Sequence, residues 1–453
     1  MKRFCVTGAL SALLLSFAAM LGAAELNLPT LDLQDTKLDN GLRVILVVDR
    51  TAPIFGIDVA YNTGSRNEHP GRTGFAHLFE HMMFEGSKNV GKGEHFILVL
   101  NNGGNMNGTT NNDRTTYFES LPKNQLDLAL FLESDRMRAL NITQANLDNQ
   151  RNAVQEERRL GVDNQPYGKA FLDIDNLAYD NFAYKHSTIG EMSDLNAANL
   201  QDVKDFFRVY YAPNNAVLTL VGDLDPAETM AKVRKYFGDI PSVPAPPKVD
   251  LSEPEHYGER SETIMDPLAR APMLAMAYHI PQGDAPDFYA LQVLEHVLGS
   301  GQSSRLYQHL VKDKQFATEV EVQADKRRGP GLFYVVAFLR PGVKPEDAEK
   351  VVREDVAAVQ KDGITDQELE KSRLQFLRQN IQSRQSDLST AIQIGDDTVN
   401  FGDPNLINSV VDKFDAVTAE QVKAAAQKYL IDKELAVVTD LPAAPTGKTA
   451  AGK

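Results

Sequence analysis

The sequence has a single cysteine, Cys5, few basic residues relative to acidic ones, and only one long apolar run. Cys5 lies inside that run at the extreme N-terminus, so the rest of the chain carries no thiol and can form no disulfide, even in an oxidising compartment. Stability must therefore come from a packed core. Lys and Arg number 47 against 62 Asp and Glu, a formal net charge of −15. That balance argues against nucleic acid and anionic lipid as partners. No second apolar run is long enough to span a bilayer as a helix.

What is present begins with "MKRFCVTGALSALLLSFAAMLGAAEL": two basic residues, an apolar stretch, then small residues before Glu25. This pattern predicts a signal peptide over residues 1–24, removed on export, rather than a retained membrane anchor. Losing Lys2 and Arg3 takes the net charge from −15 to −17. The remaining length exceeds what one ordinary core serves and predicts at least two domains.

The two halves resemble each other. "HLFEHMMF" from His77 aligns with "QVLEHVLG" from Gln292, "VKDFFRVYY" from Val203 with "VKAAAQKYL" from Val422, and "LTLVGDL" from Leu218 with "LAVVTDL" from Leu435. The offsets are 215, 219 and 217 residues, in the same order along the chain. An internal duplication of a unit of about 200 residues accounts for this. A proline-rich stretch at 241–260 has neither helical nor strand periodicity and reads as a linker. The boundaries are then 31–240 for an N-terminal domain, 261–441 for its C-terminal homologue, and 442–453 for a disordered tail. β-rich runs at 42–48, 115–121, 216–222, 273–280 and 332–339 predict strands. Amphipathic stretches at 124–140 and 345–360 predict helices. The expected fold class is α+β, each half a mixed or antiparallel sheet packed with helices.

In "GFAHLFEHMMFEG", Phe75, Leu78, Phe79, Met82 and Met83 form an apolar helical stripe. His77, Glu80 and His81 fall on the opposite side, because a helix turns about 100° per residue. Two imidazoles at i and i+4 can converge on one zinc ion, with the intervening glutamate beside the metal as a proton acceptor for bound water. The plain alternative is the polar face of an amphipathic helix, and a third ligand would decide between them. "LDNQRNAVQEERRL", from Leu147, contains Glu157 76 residues beyond His81. Read as a helix, it places Leu147, Gln150, Ala153, Val154, Glu157 and Leu160 on one half-buried arc and Glu156 outside it. Glu157 is the inward-facing candidate, against the alternative of a surface carboxylate paired with Arg158 or Arg159.

"HLFEH" followed at this distance by "EERR", in a duplicated chain with an export leader, resembles the pitrilysin family of inverzincin metallopeptidases, relatives of insulin-degrading enzyme and the mitochondrial processing peptidase. The resemblance runs from about Asp39 to Leu441. It implies a Zn2+ site made by His77, His81 and Glu157, with Glu80 activating the water for peptide-bond hydrolysis. A second acidic residue commonly stands seven positions before the third ligand in that family; here it is Gln150, a departure that weakens support for the ligands. Read alone, the Asn/Gly-rich run 101–112 is a turn or loop. The resemblance instead puts "GGNMNG" on an edge strand that binds substrate backbone, with Asn107 and Gly108 as substrate-binding residues.

The second half keeps Glu295 and His296 but has Gln292 in place of the first histidine, so it lacks a zinc set. Active assemblies of the family also need an arginine and a tyrosine after an "SSRL" segment; those positions hold Val311 and Thr318. Arg305 and Tyr307 belong to the segment itself and read as structural. His69, His95, His186, His256, His279 and His309 have no partner at ligand spacing and read as surface or ordinary structural histidines. The expectation is a periplasmic, metal-bearing endopeptidase subunit for peptide substrates, whose homologous partner subunit supplies the Arg/Tyr pair. The competing reading is a non-catalytic peptide-binding or assembly component of the same superfamily.

Overall fold

The structure is a computed structural model and describes residues 28–254 and 258–443. The leader with Cys5, His256 and residues 444–453 lie outside the described residues. Six strands, β1 (Leu33–Lys37), β2 (Arg43–Val48), β3 (Ile54–Tyr61), β4 (Asn105–Thr110), β5 (Thr115–Pro122) and β6 (Ala216–Gly222), form one sheet in the order β1-β2-β6-β3-β5-β4. Five more, β7 (Arg260–Asp266), β8 (Met273–Ile280), β9 (Ala317–Ala324), β10 (Gly331–Leu339) and β11 (Leu435–Pro442), form a second in the order β7-β11-β8-β10-β9. Without β1, the two orders are the same when strands are matched in sequence order. Each sheet has one parallel pair, β2 with β6 and β7 with β11, and is otherwise antiparallel. This is the topological counterpart of the sequence repeat, and the fold is α+β as expected.

Six helices position the residues discussed below: α1 (Phe75–Met82), α2 (Leu126–Arg138), α3 (Gln144–Arg158), α4 (Gly168–Ala178), α5 (Pro286–Gly299) and α6 (Asp387–Phe401). Period-two alternation decides what each sheet face meets. On β3, Phe55, Ile57, Val59 and Tyr61 enter the first core beside Leu78, Phe79 and Met82 of α1. The intervening Gly56, Asp58 and Ala60 face α6, which comes from the other half of the chain. In the second sheet Leu274, Met276 and Tyr278 enter that half's own core, while Met273, Ala275 and Ala277 pack with Ala170, Ile174 and Ala178 of α4, which belongs to the first half. The duplicated halves thus cover one another's sheets. Ion pairs fasten the exchange: Arg114 Nε and Nη2 reach Asp396 at 2.7 and 3.1 Å, and Arg327 Nη2 reaches Asp175 at 3.0 Å.

Residues 241–254 adopt no regular element. They are nonetheless pinned: Val243 exchanges two hydrogen bonds with the Asn214 side chain, and Asn181 Nδ2 donates to the carbonyls of Asp250 and Ser252. Arg260, at the end of the expected linker, opens β7, and Pro442, at the start of the expected tail, closes β11.

The run 101–112 corrects the reading made from its composition. Residues Asn105–Thr110 are β4, paired antiparallel with β5 from Asn105↔Ser120 to Thr110↔Thr115. Turn chemistry is confined to its flanks, where Gly103 has φ +79° and Asn111 Oδ1 accepts from the Asp113 and Arg114 backbone amides. Pairing along six residues outweighs the weak strand preference of Asn and Gly. The edge position implied by the family resemblance is the one observed.

Candidate metal centre

The histidines owe their placement to how α1 starts. Gly74 precedes the helix at φ +81°, where a side chain would be strained. The buried Glu68 carboxylate accepts from Gly74 N at 2.8 Å and Ala76 N at 2.7 Å, capping the positive end of the helix. His186 bonds Glu68 in turn at 2.9 Å, so this histidine is structural, as read from the sequence. The apolar stripe of α1 packs as expected, with Phe75, Leu78, Phe79 and Met82 buried, each contributing about 1.5–3 kcal/mol.

The opposite face meets α3. Glu157 Oε1 lies 3.5 Å from His77 Nε2, and Glu157 Oε2 lies 3.3 Å from His81 Nε2. The two imidazole rings stand edge to face, 4.8 Å between centroids. One ligand atom from each residue falls within 4.8 Å of the others. Two neutral-capable imidazoles and one carboxylate are the donor set of a catalytic zinc site that keeps a fourth position open. The two histidines differ in their electrostatics. Burial holds the His77 imidazole down to about 4, against the pull of Glu157, so it presents a neutral ring near pH 7. For His81 burial also opposes protonation, but the Glu157 carboxylate outweighs it and the net shift is upward. The hydrogen bond with His81 in turn keeps Glu157 below the usual carboxylate range.

Glu80, between the histidines, is buried, and burial raises its pKa while Thr110 and His81 oppose the rise. Its Oε2 accepts from Thr110 Oγ1 at 2.6 Å, which ties it to the last residue of β4. Gly108, two residues earlier, packs over it: a Cβ there would lie 3.2 Å from Glu80 Cγ and 3.1 Å from Tyr117 Cδ1. Asn107 is exposed on the same edge strand, its Oδ1 accepting from Gly108 N at 2.9 Å.

The helical arc proposed for α3 needs correction. Leu147 and Val154 are buried, but Ala153 and Leu160 are exposed, and the buried set continues through Gln155 and Arg158. The reason is a second neighbour: Gln155 Nε2 donates to Asn196 Oδ1 at 2.8 Å, and Arg158 donates to the Gly190 carbonyl. Glu157 therefore stands at the rim, its side chain 51% exposed, and still faces both histidines. Glu156 pairs outward with Arg159 at 3.0 Å.

Sequence reading missed three groups. Thr110 and Glu85 reach this site only through tertiary packing, and their separation in the sequence gives no signal. His95, read as unpartnered, lies in a buried cluster with Glu119 Oε2 at 3.6 Å and Glu133 Oε1 at 4.0 Å. Glu133 is also gripped by Arg136, whose positive charge disfavours a further cation there.

In the second half the repeated motif is structural. On α5, Glu295 Oε2 accepts from Ala324 N at 2.9 Å and His296 Nδ1 meets the Ser372 carbonyl at 3.2 Å. Thr318 Oγ1 donates to the Phe338 carbonyl, and Val311 packs on the second core. Arg305 is held by Glu368 at 2.7 and 2.8 Å. Among the described residues, both groups of three or more potential ligand side chains lie in the first half.

Comparison with known proteins agrees with this division. Residues 43–191 match the family model described as Insulinase (Peptidase family M16), and residues 197–376 match the one described as Peptidase M16 inactive domain. The chain is 32% identical over 344 residues to the zinc protease PqqE of Helicobacter pylori, covering 75% of this chain and 78% of the relative. It is 24% identical to the probable mitochondrial-processing peptidase subunit beta of Arabidopsis thaliana, over 90% of this chain and 79% of the relative. Its fold superposes on the crystal structure of a protease from Helicobacter pylori with a TM-score of 0.88 at 29% identity, over 91% of this chain and 100% of that one. With candidate metal ligands converging in the first half, a repeat that lacks that set in the second and relatives of this kind across most of its length, the chain belongs to the M16, or pitrilysin, family of peptidases.

Proposed function

We propose that this chain is the metal-bearing half of an exported, periplasmic heterodimeric endopeptidase that cleaves unfolded peptides. The observation that carries this reading is the meeting of His77, His81 and Glu157 from two helices, with Glu80 beside them and hydrogen-bonded to an edge strand. When bound by those three residues, zinc would polarise the scissile carbonyl and acidify a water. Glu80 takes the proton from that water and hands it to the leaving amine. Its burial and its bond to Thr110 hold the carboxylate in one orientation for both transfers.

β4 supplies the substrate platform. It is the last strand in its sheet order, so main-chain groups along its outer side can pair with an extended peptide irrespective of side chains. Asn107 and Gly108 lie midway along it, and Gly108 packs against Glu80. The partner-dependent part of the proposal rests on Val311 and Thr318, which offer no cationic or phenolic donor for a developing oxyanion. Those same two residues favour the second reading, a peptide-binding component without catalysis. Among the described residues, no helix is long and apolar enough to cross a membrane.

Metal analysis separates the readings. The peptidase reading expects about one zinc per chain, lost in Glu157→Ala, and expects Glu80→Gln to keep the metal while hydrolysis of a peptide library disappears. A chain that hydrolyses peptides equally well after loss of its zinc contradicts this mechanism.

A further inference from the structure

Gln150 replaces the family's usual acidic residue seven positions before Glu157, yet the structure still finds it under His81. Its Oε1 lies 3.2 Å from His81 Nδ1. Its Nε2 donates to Glu85 Oε1 at 2.5 Å. Glu85 is 5% exposed and sits three residues beyond the end of α1, where Lys92 Nζ approaches its other oxygen at 2.6 Å. The Glu85 carbonyl accepts from Asn146 Nδ2 at 3.3 Å, so its backbone is fastened to the same helix that carries Gln150 and Glu157.

An amide has two ends and can be turned either way. Here one orientation is forced. With Nε2 toward Glu85, the carboxylate receives a donor and Oε1 points at the imidazole. Turned over, the amide oxygen would oppose a carboxylate and its NH2 would oppose the ring nitrogen. The forced orientation makes Gln150 an acceptor, so His81 keeps a proton on Nδ1, and Nε2, the atom 3.3 Å from Glu157, is the nitrogen left to give up its proton when a metal takes its place. His77 Nδ1 has no protein hydrogen-bond partner among the described residues, so this chain of contacts is the centre's means of fixing an imidazole.

We propose that Glu85 is a positioning residue for the metal centre, acting through Gln150: the carboxylate stands one side chain away from the histidine, and the amide relays it. Such outer carboxylates orient a ligating histidine and raise its basicity, and their loss typically costs about 10–100-fold in metal affinity. The inference rests on the zinc reading above.

The test titrates the full chain, stripped of metal, with zinc against a chromophoric chelator, comparing wild type, Glu85→Gln, Gln150→Leu and the double variant Glu85→Gln/Gln150→Glu. The relay expects each single variant to bind zinc about 10–100-fold more weakly. It expects the double variant to recover most of that loss, because its carboxylate accepts from His81 directly. Nitrogen-15 NMR of labelled histidine in the metal-free protein, at a pH where His81 is neutral, adds a second readout: a single Nδ1–H tautomer for His81 in wild type and in the double variant, and a mixture in Glu85→Gln. If wild type takes up zinc and Glu85→Gln binds it equally well, or the double variant fails to recover, the relay is wrong while the zinc reading stands. If wild type takes up no zinc, the zinc reading falls and the relay with it.

Discussion

The Thr110 hydroxyl donates a 2.6 Å hydrogen bond to the Glu80 carboxylate, linking the strand proposed to hold the peptide with the residue proposed to move its proton. A peptide pairing with β4 pulls on the same strand that orients the base. Replacing Thr110 by Val removes the donor while keeping the shape. We expect kcat on a peptide substrate to fall about tenfold, in keeping with a hydrogen bond to a charged acceptor. Thr110→Ser should retain most of the activity. Steady-state kinetics on the two variants, with zinc content measured alongside, check this; equal rates for Thr110→Val and wild type would refute it.

Glu119 makes stability depend on pH. Complete burial raises its pKa from the ordinary 4.5 to about 7, with Arg136 opposing the rise. The folded state holds this proton more tightly than the unfolded state, so the associated stability is whole below pH 4.5 and drains as pH rises through about 7. Glu119→Gln cannot ionise and should lose that slope. Its stability relative to wild type should be more favourable at pH 8 than at pH 5, by on the order of a few kcal/mol. Urea unfolding of both proteins at the two pH values measures the difference, and parallel pH profiles would contradict it.

The crossed helices depend on one small residue. A Cβ on Gly395 of α6 would overlap Asp58 Oδ2 and lie 3.4 Å from Ala60 Cβ, both on β3. Gly395→Val should destabilise the protein by about 1–3 kcal/mol through overpacking. Because each half covers the other's sheet, the loss should appear as an earlier but still single unfolding transition in calorimetry. Separate melting of the two halves would argue against shared stability.

The heterodimer proposal predicts weak hydrolysis by the chain alone. Co-purification from the native envelope fraction should yield a homologous chain bearing the Arg/Tyr pair, and mixing the two should raise peptide cleavage well above either one. Full activity of the isolated chain would remove the need for a partner.

The histidine pair was legible because helical spacing alone puts positions 77, 80 and 81 on one face, whatever the helix packs against. Glu157 was legible for a weaker reason. The arc that selected it over Glu156 had the right centre near the site, yet it wrongly enclosed Ala153 and Leu160, because a second packing partner turns the buried side toward Gln155 and Arg158. Glu85 and Thr110 were illegible. Each meets the site across a tertiary contact, and a glutamate after a helix or a threonine in an Asn/Gly-rich run carries no local mark of it. Five of the eleven strands among the described residues, β2, β5, β6, β8 and β10, announced themselves as β-rich runs, whereas β4 was hidden by composition that favours turns. The strand order of the repeat could be inferred from the duplication only in outline, and the exchange of covering helices between halves left no trace in periodicity.

That exchange sets a timetable for maturation. The face of the first sheet that carries Gly56, Asp58 and Ala60 finds its cover only in residues Asp387–Phe401. A nascent chain emerging from its N-terminus must therefore wait until most of its length has been made before this sheet can close. Premature burial is deferred by architecture, a delay that would suit the export proposed above.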